Sequence, residues 1–268
     1  MPKDKIKIIK SKSISDAFEQ TIDFINSWDT ENGSHCWFRG INNNKLSLSP
    51  GAYWRDAYDE ITNITIFTQE AASHVTINES SSWETYNLAQ HHGIPTRLLD
   101  WSESFSAALF FALDMWEGKT TPCIWICKPA LLNNTFLGWN GILAPEGKEH
   151  LKLWLPHKIH MSHTSAIKDY DGYTYDNEWP LAIYPKKSNK RLTAQQGTFT
   201  VHGRQNKPLD QLYALKGGVC SQAFARIDLI IKDKNQALEQ LKLLGVRRAA
   251  IYPDVDNLVK QIKEDNGW

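Results

Sequence analysis

This 268-residue chain has no net charge, because 30 basic residues balance 30 acidic ones. That balance argues against a broad electrostatic footprint for nucleic acid or an anionic membrane, though a local groove is still allowed. Cysteine is scarce: Cys36, Cys123, Cys127 and Cys220 are scattered along the chain. Cys123 and Cys127 fall in one expected strand. At about 3.3 Å per residue their Cα atoms stand roughly 13 Å apart, too far to bridge or share a metal. All four are expected to be buried and reduced. Long apolar runs are missing too, and the longest, near Leu109, is far too short to span a bilayer. The first residues interleave lysines with isoleucines and show no small-residue cleavage site. No repeat or low-complexity linker divides the chain. A cytoplasmic protein without a membrane partner is expected, and its length supplies ample core for one large domain or two small ones.

What the chain does have is aromatic and polar chemistry in dense clusters. Its 41% hydrophobic and 22% charged fractions are ordinary for a globular protein, but eleven tryptophans are many. Aromatics in that number can line pockets as well as fill a core. The richest stretch is Gln90-His91-His92-Gly93-Ile94-Pro95-Thr96-Arg97-Leu98-Leu99-Asp100-Trp101. Ser81-x-x-Glu84 has the form of a capping box, which predicts a helix starting near Trp83. Gly93 suits the left-handed residue after a helix, and Pro95 bars its continuation. Both histidines then sit in the last turn, where the helix dipole favours a protonated ring. They point about 100° apart, so they cannot face one substrate equally. His92, nearest the break, is the preferred functional residue over His91.

Asp100-x-x-Glu103 repeats the capping pattern ahead of the apolar run 105–113, so the cluster reads as a tight corner between two packed helices. Asp100 is then either an N-cap or a functional carboxylate. Arg97 either pairs with Asp100 and the helix-end carbonyls or binds a ligand.

Elsewhere, residues 15–28 predict a helix with Phe18, Ile22 and Ile25 on one face. Residues 35–40 predict a short strand with Trp37 and Arg39 on one side and Cys36 and Phe38 on the other. Residues 52–78 are expected to be helical, and 130–180 to be an irregular insertion. His157, His160 and His163 slip about 60° per step round a helix and have no ligand partner nearby, so no metal is expected there. A loop through Gln195 and Gln196 enters a strand at Gly197, where the glycine permits close approach of a backbone or ligand. The chain ends in a strand over 224–231, a helix over 235–244, a strand over 248–252, and a last helix capped by Asp254.

Trp37-Phe38-Arg39-Gly40, the 90–101 segment, Ser188-Asn189-Lys190-Arg191 leading into Gln195–Phe199, and the 244–256 ending resemble the FRG-domain family. The likeness spans about residues 20–260 and implies a single FRG-type domain over 1–268. The aromatic-Arg-Gly strand is also similar to the opening motif of the ADP-ribosyltransferase fold. That implies an α+β domain with a split sheet flanked by helices, and makes Arg39 the anchor for the pyrophosphate or ribose of NAD. Those enzymes usually carry a late-strand glutamate, where this chain offers Gln195 and Gln196, and Asp100 is the candidate replacement carboxylate.

The expected activity is NAD-dependent mono-ADP-ribosyl transfer by a bacterial toxin or phage-defence effector. NAD is its substrate, no metal is needed, and an antitoxin or regulatory protein is a possible partner. Arg39, Thr96 and Arg97 would bind the cofactor, with Trp101 or Phe199 stacking on a ring. His92 or His91, Asp100 and Gln196 would serve catalysis. Lys186, Lys187, Lys190 and Arg191 form a basic strip for a nucleic-acid acceptor, RNA ahead of protein. The rivals are a metal-independent ribonuclease using His91 and His92, and a non-catalytic nucleotide-binding module. Convergence of Arg39, the 91–101 segment and the 195–199 strand on one cleft is the structural expectation.

Overall fold

The computed structural model describes residues 6–28, 35–75, 82–146, 148–159, 167–168 and 172–268. The strands are β1 (Lys7–Ser11), β2 (Trp37–Ile41), β3 (Leu98–Ser102), β4 (Cys123–Cys127), β5 (Ile167–Lys168), β6 (Thr174–Tyr175), β7 (Leu181–Ile183), β8 (Gly197–Val201) and β9 (Phe224–Leu229). The first six helices are α1 (Ile14–Ser27), α2 (Glu60–Ala71), α3 (Trp83–His91), α4 (Phe105–Asp114), α5 (Pro129–Leu137) and α6 (Pro156–Ile159). Then follow α7 (Lys190–Ala194), α8 (Leu209–Leu215), α9 (Cys220–Ala223), α10 (Lys234–Leu243), α11 (Arg248–Ile251) and α12 (Val255–Asn266). Seven strands form one mixed, open sheet in the order β1-β9-β4-β2-β3-β8-β7, and β5 and β6 form a separate hairpin. Only β1 and β9 run parallel within the large sheet. The α+β expectation holds.

One irregularity positions everything that follows. β2 pairs with β4 over five residues, and β3 pairs with β8 over five, but β2 and β3 share the single register pair Phe38–Ser102. Beyond it the two central strands part.

The alternation of β2 sends its residues to different cores. Phe38 joins α1 and α4, meeting Phe105 edge-on at 5.3 Å between ring centroids. Trp37 and Ile41 join the layer of α5, α8 and α9 on the other face, as the strand reading requires. Gly40 takes no side chain at all. A Cβ there would lie 1.8 Å from the Ala108 carbonyl oxygen and 2.7 Å from the Ala112 nitrogen, so α4 lies directly on β2. That contact explains why α4 turns Ala108 and Ala112 toward the strand. A third core holds α2, α3, β7 and β8 together around Trp83, Tyr86, Leu98 and Trp154.

Several boundaries differ from the sequence reading. α3 begins at Trp83 as expected, but Ser82 rather than Ser81 caps it, accepting from the Thr85 amide. The motif is a helix–turn–strand: residues 98–102 form β3, and the cap of α4 is Ser104, which accepts from the Ala107 amide. Asp100 caps nothing, because backbone pairing with β8 outcompeted a helical start in this apolar, β-prone segment. In α1 the buried face is Ile14, Ala17, Thr21 and Phe24, while Ile22 is exposed. The 248–252 segment is the short helix α11 rather than a strand. In place of one helix over 52–78 there is a 3-10 turn at Gly51–Trp54 and then α2, and 76–78 lie outside the described residues.

Within 130–180, α5 replaces the expected irregular chain over Pro129–Leu137, started by its proline. It also covers one edge of the sheet. Asn133 accepts from the Ala182 amide at 2.8 Å and donates to the Ala182 carbonyl at 2.9 Å, which pairs the open edge of β7. The cysteines lie buried and free, with burial pushing the Cys36 thiol up to about 11 and the Cys123 thiol to about 12. Among the described residues, no helix is long and apolar enough to cross a membrane.

Gly40→Ala is predicted to be severely destabilising, well beyond the roughly 1–3 kcal/mol of ordinary overpacking, because backbone rather than a side-chain tip must move. Urea unfolding measures it. A loss under about 1 kcal/mol would show that α4 can shift freely.

Candidate functional site

Where β2 and β3 part, a cavity of about 290 Å³ opens between α3, α4 and the turn from α7 into β8. Arg39 sits at the gap. Its Nη1 donates to the Asp100 main-chain oxygen at 2.7 Å, where a strand-to-strand bond would otherwise run, and lies 3.8 Å from Asp100 Oδ2. Its Nε is buried with no hydrogen-bond partner among the described residues. Burial lowers the Arg39 pKa from its ordinary value, and the nearby Asp100 opposes that.

The exposed Asp100 carboxylate is held by a short relay: Leu98 N–H donates to Thr96 Oγ1, Thr96 Oγ1 to Gln90 Oε1, and Gln90 Nε2 to Asp100 Oδ2 at 2.9 Å. Gly93, with φ +86°, makes the left-handed exit from α3 that brings these residues level.

α3 presents Asn87, Gln90 and His91 to the cavity, the i, i+3, i+4 spacing of one helix face. Asn87 is 4% exposed, and neither its Nδ2 nor its Oδ1 has a hydrogen-bond partner among the described residues. An unmet buried amide group costs about 1–3 kcal/mol, so such a residue needs a reason. His91 is the histidine at the cavity. Burial, then the charges of Arg191 and His92, lower its pKa from the ordinary value, with Asp254 opposing.

The opposite wall carries Phe199, Gln195 and Arg191. The Arg191 guanidinium stacks 4.7 Å from the Tyr252 ring centre and reaches the His91 carbonyl at 3.5 Å. Three segments thus converge as expected: Arg39, the 91–101 stretch and the 195–199 strand.

Within those segments the individual residues sort differently. His92 is the C-cap of α3, exposed and set beside Phe67, and it does not line the cavity. The helix ends one residue too soon for the residue nearest the break to face inward. The dipole expectation of a protonated ring also fails for His91, because burial and Arg191 outweigh it. Gln196 is exposed and outside the cavity, while its neighbour Gln195 lines it. The left-handed turn at Gln196, φ +46°, separates the two. Gly197 does allow a close approach, but of the Leu192 side chain rather than a ligand.

Thr96 and Arg97 are structural. Thr96 is fully buried in the relay and in a backbone bond to Ala52. Arg97 is 4% exposed: its Nε pairs with Glu60 Oε2 at 2.7 Å, Nη1 donates to the His202 carbonyl, and Nη2 to the Trp154 carbonyl. Its own N–H donates to Tyr86 and Glu60. Burial opposes the charge, but Glu60, Tyr86 and Tyr53 more than offset it and raise the Arg97 pKa. Trp101 borders the cavity as part of the core, its Nε1 donating to Thr200 Oγ1 at 3.1 Å.

Lys186 and Lys187 pair with Glu84 and Glu103, Lys190 is exposed, and Arg191 turns inward, so the basic run is no uniform strip. The sequence points to Gln90 and Gln195 only as members of their segments, and not to Glu60 or Asn87. The legible signal for Asn87 is its place one turn before His91 on the same helix face. Of the three spaced histidines, His157 lies in α6, and His160 and His163 lie outside the described residues.

Residues 34–120 match the family model described as FRG domain. The match runs from just before β2 to just past α4, and includes Phe38-Arg39-Gly40, α3 and the relay. Over these residues the chain is similar to an FRG domain. No curated protein and no solved structure matches it.

Arg97→Met should cost about 3–5 kcal/mol by stranding Glu60, whereas Asp100→Asn should leave stability nearly unchanged, since asparagine keeps the contact with Gln90 by rotating its amide. Chemical denaturation distinguishes the two, and equal losses would refute the division of roles. His202 supplies a pH test. Burial, then Arg97, lowers its pKa to about 3 in the folded chain. Between that value and the unfolded value of about 6.5 the unfolded chain holds the extra proton, so stability falls as pH drops through this window, by up to about 1.4 kcal/mol per pH unit. His202→Asn should flatten that slope.

Proposed function

We propose that this protein transfers ADP-ribose from NAD, with the cavity at the parting of β2 and β3 as its active site. The observation that carries this reading is the meeting of the Arg39 guanidinium and the Asp100 carboxylate in one aromatic-walled hollow. A guanidinium offers a planar fork matched to a pyrophosphate, and the Arg39 Nε, without a partner among the described residues, is a donor open to such an acceptor. Arg191 adds a second cation on the opposite wall. Phe199 and Tyr252 offer ring edges and faces for a flat heterocycle.

NAD supplies an activated ribose. The bond from ribose C1′ to the nicotinamide nitrogen breaks and its electron pair leaves with nicotinamide. The acceptor's nucleophilic atom bonds C1′, and its proton passes to a base. His91 suits the base, being neutral at pH 7 through burial and Arg191. Asp100, held by Gln90, suits the carboxylate that steadies positive charge growing on the ribose. Gln195, which lines the cavity where Gln196 does not, suits the placing of the acceptor or the ribose.

RNA is the acceptor class the reading favours. Lys190 is exposed at the surface, and the pairs of Lys186 and Lys187 with glutamates are of a kind weak enough for phosphate to displace. The ribonuclease reading loses its support, since His92 stands outside the cavity.

Incubation with isotopically labelled NAD, followed by mass spectrometry of added RNA and protein, is expected to find label on RNA. Label only on protein moves the acceptor class. NAD binding with neither nicotinamide release nor label makes the cavity a recognition module.

Arg39→Lys should lower kcat/KM by about 2–4 kcal/mol of transition-state stabilisation, roughly 30- to 1,000-fold, with the melting point nearly unchanged. Because the His91 pKa is lowered, the acid limb of the rate profile should fall below the usual imidazole value of about 6.5. An acid limb above that value would exclude His91 as the base.

A further inference from the structure

We infer that Asn87 reads a planar donor–acceptor edge on the ligand, and so decides which nucleotide the cavity accepts. The inference rests on the nucleotide reading of the cavity and deepens it. Asn87 lies on α3 one turn before His91, buried at 4% exposure, and lines the cavity. Its amide offers two donors on nitrogen and an acceptor oxygen. Neither atom has a partner among the described residues, while Gln90, one turn away on the same helix face, has both of its amide atoms engaged. One amide of the pair is thus spent on structure and the other is left open toward the hollow.

A carboxamide with an open donor and an open acceptor complements a flat group that carries the reverse pair side by side. Two parts of a dinucleotide do so: the carboxamide of nicotinamide, and the N6/N7 edge of adenine, which asparagine pairs with in two bonds. A guanidinium or carboxylate ligand lacks one half of the pair. Phe199 and Leu192, which also line the cavity, offer apolar surface to a flat ring and no competing side-chain donor. Buried sites built to hydrogen-bond a ligand group reject analogues that lack it, because the site's own groups are then left unmet.

The test titrates the full chain and two variants, Asn87→Leu and Asn87→Asp, with NAD, ADP-ribose, AMP and nicotinamide by calorimetry. Asn87→Leu is close in volume and removes the unmet amide, so its melting point should match or exceed that of the parent chain. Its affinity for NAD should nonetheless fall about tenfold or more. Loss for NAD and nicotinamide with ADP-ribose unchanged assigns the nicotinamide carboxamide as the edge. Loss for ADP-ribose and AMP assigns adenine. Asn87→Asp, which keeps the shape but removes the donors, should lose affinity in the same pattern.

Arg39→Ala separates this inference from the reading beneath it. If ADP-ribose binding depends on Arg39 but is untouched by both Asn87 variants, as is NAD binding, the nucleotide site stands and the role of Asn87 is overturned. If AMP or nicotinamide binds in an Asn87-dependent way and ADP-ribose ignores Arg39, the role stands and the pyrophosphate anchor falls. Failure of all four probes to bind the parent chain overturns both.

Discussion

The cavity exists because two central strands share one register pair and then separate. A continuous sheet would consume the Asp100 carbonyl in a ladder bond and close the space where Arg39 lies. Instead a side chain takes up that carbonyl, so the gap opens without leaving the main-chain oxygen unmet. The same arrangement fixes the guanidinium at one end and leaves its Nε available at the other. Structure and recognition are thus divided between atoms of a single residue.

The three residues of the Phe-Arg-Gly motif each answer a different physical demand. Phe38 fills the core under α4, Arg39 bridges the gap, and Gly40 is absent of side chain so that α4 can touch the strand. Arg97 carries a comparable load on the other side of the gap. It ties α2, the segment at Trp154 and the end of β8 to the start of β3 through one buried cation. Buried charge of this kind tolerates poor geometry badly, which makes it a device for holding one arrangement rather than a source of net stability.

Reading the sequence recovered the elements whose signals are local. The helix over α3, the left-handed Gly93, the strand through Arg39 and the capped final helix all follow from caps, punctuation and alternation over a few residues. The convergence of three distant segments was legible because their polar residues exceeded what capping could absorb. Which neighbour faces inward was not. His91 against His92, and Gln195 against Gln196, are settled by where a helix ends and where one residue adopts a positive φ, and both depend on packing against other elements. The role of Arg97 was hidden for a similar reason, since its partner Glu60 is distant in sequence and sits in a helix with no motif of its own. Asp100 looked like a cap because Asp-x-x-Glu is a capping pattern, and only pairing with β8 turns the segment into strand.

The relay from Leu98 through Thr96 and Gln90 to Asp100 runs with every donor pointing the same way. Chains of aligned hydrogen bonds polarise one another, and each bond fixes the orientation of the next group. A carboxylate as exposed as Asp100 ordinarily wanders among rotamers, and a ligand would have to gather it in at an entropic cost. Here the gathering is done when the turn folds. The flat amide of Gln90 has one orientation compatible with its two neighbours, so Asp100 meets any ligand already aimed, and the surface carboxylate behaves with the order of a buried one.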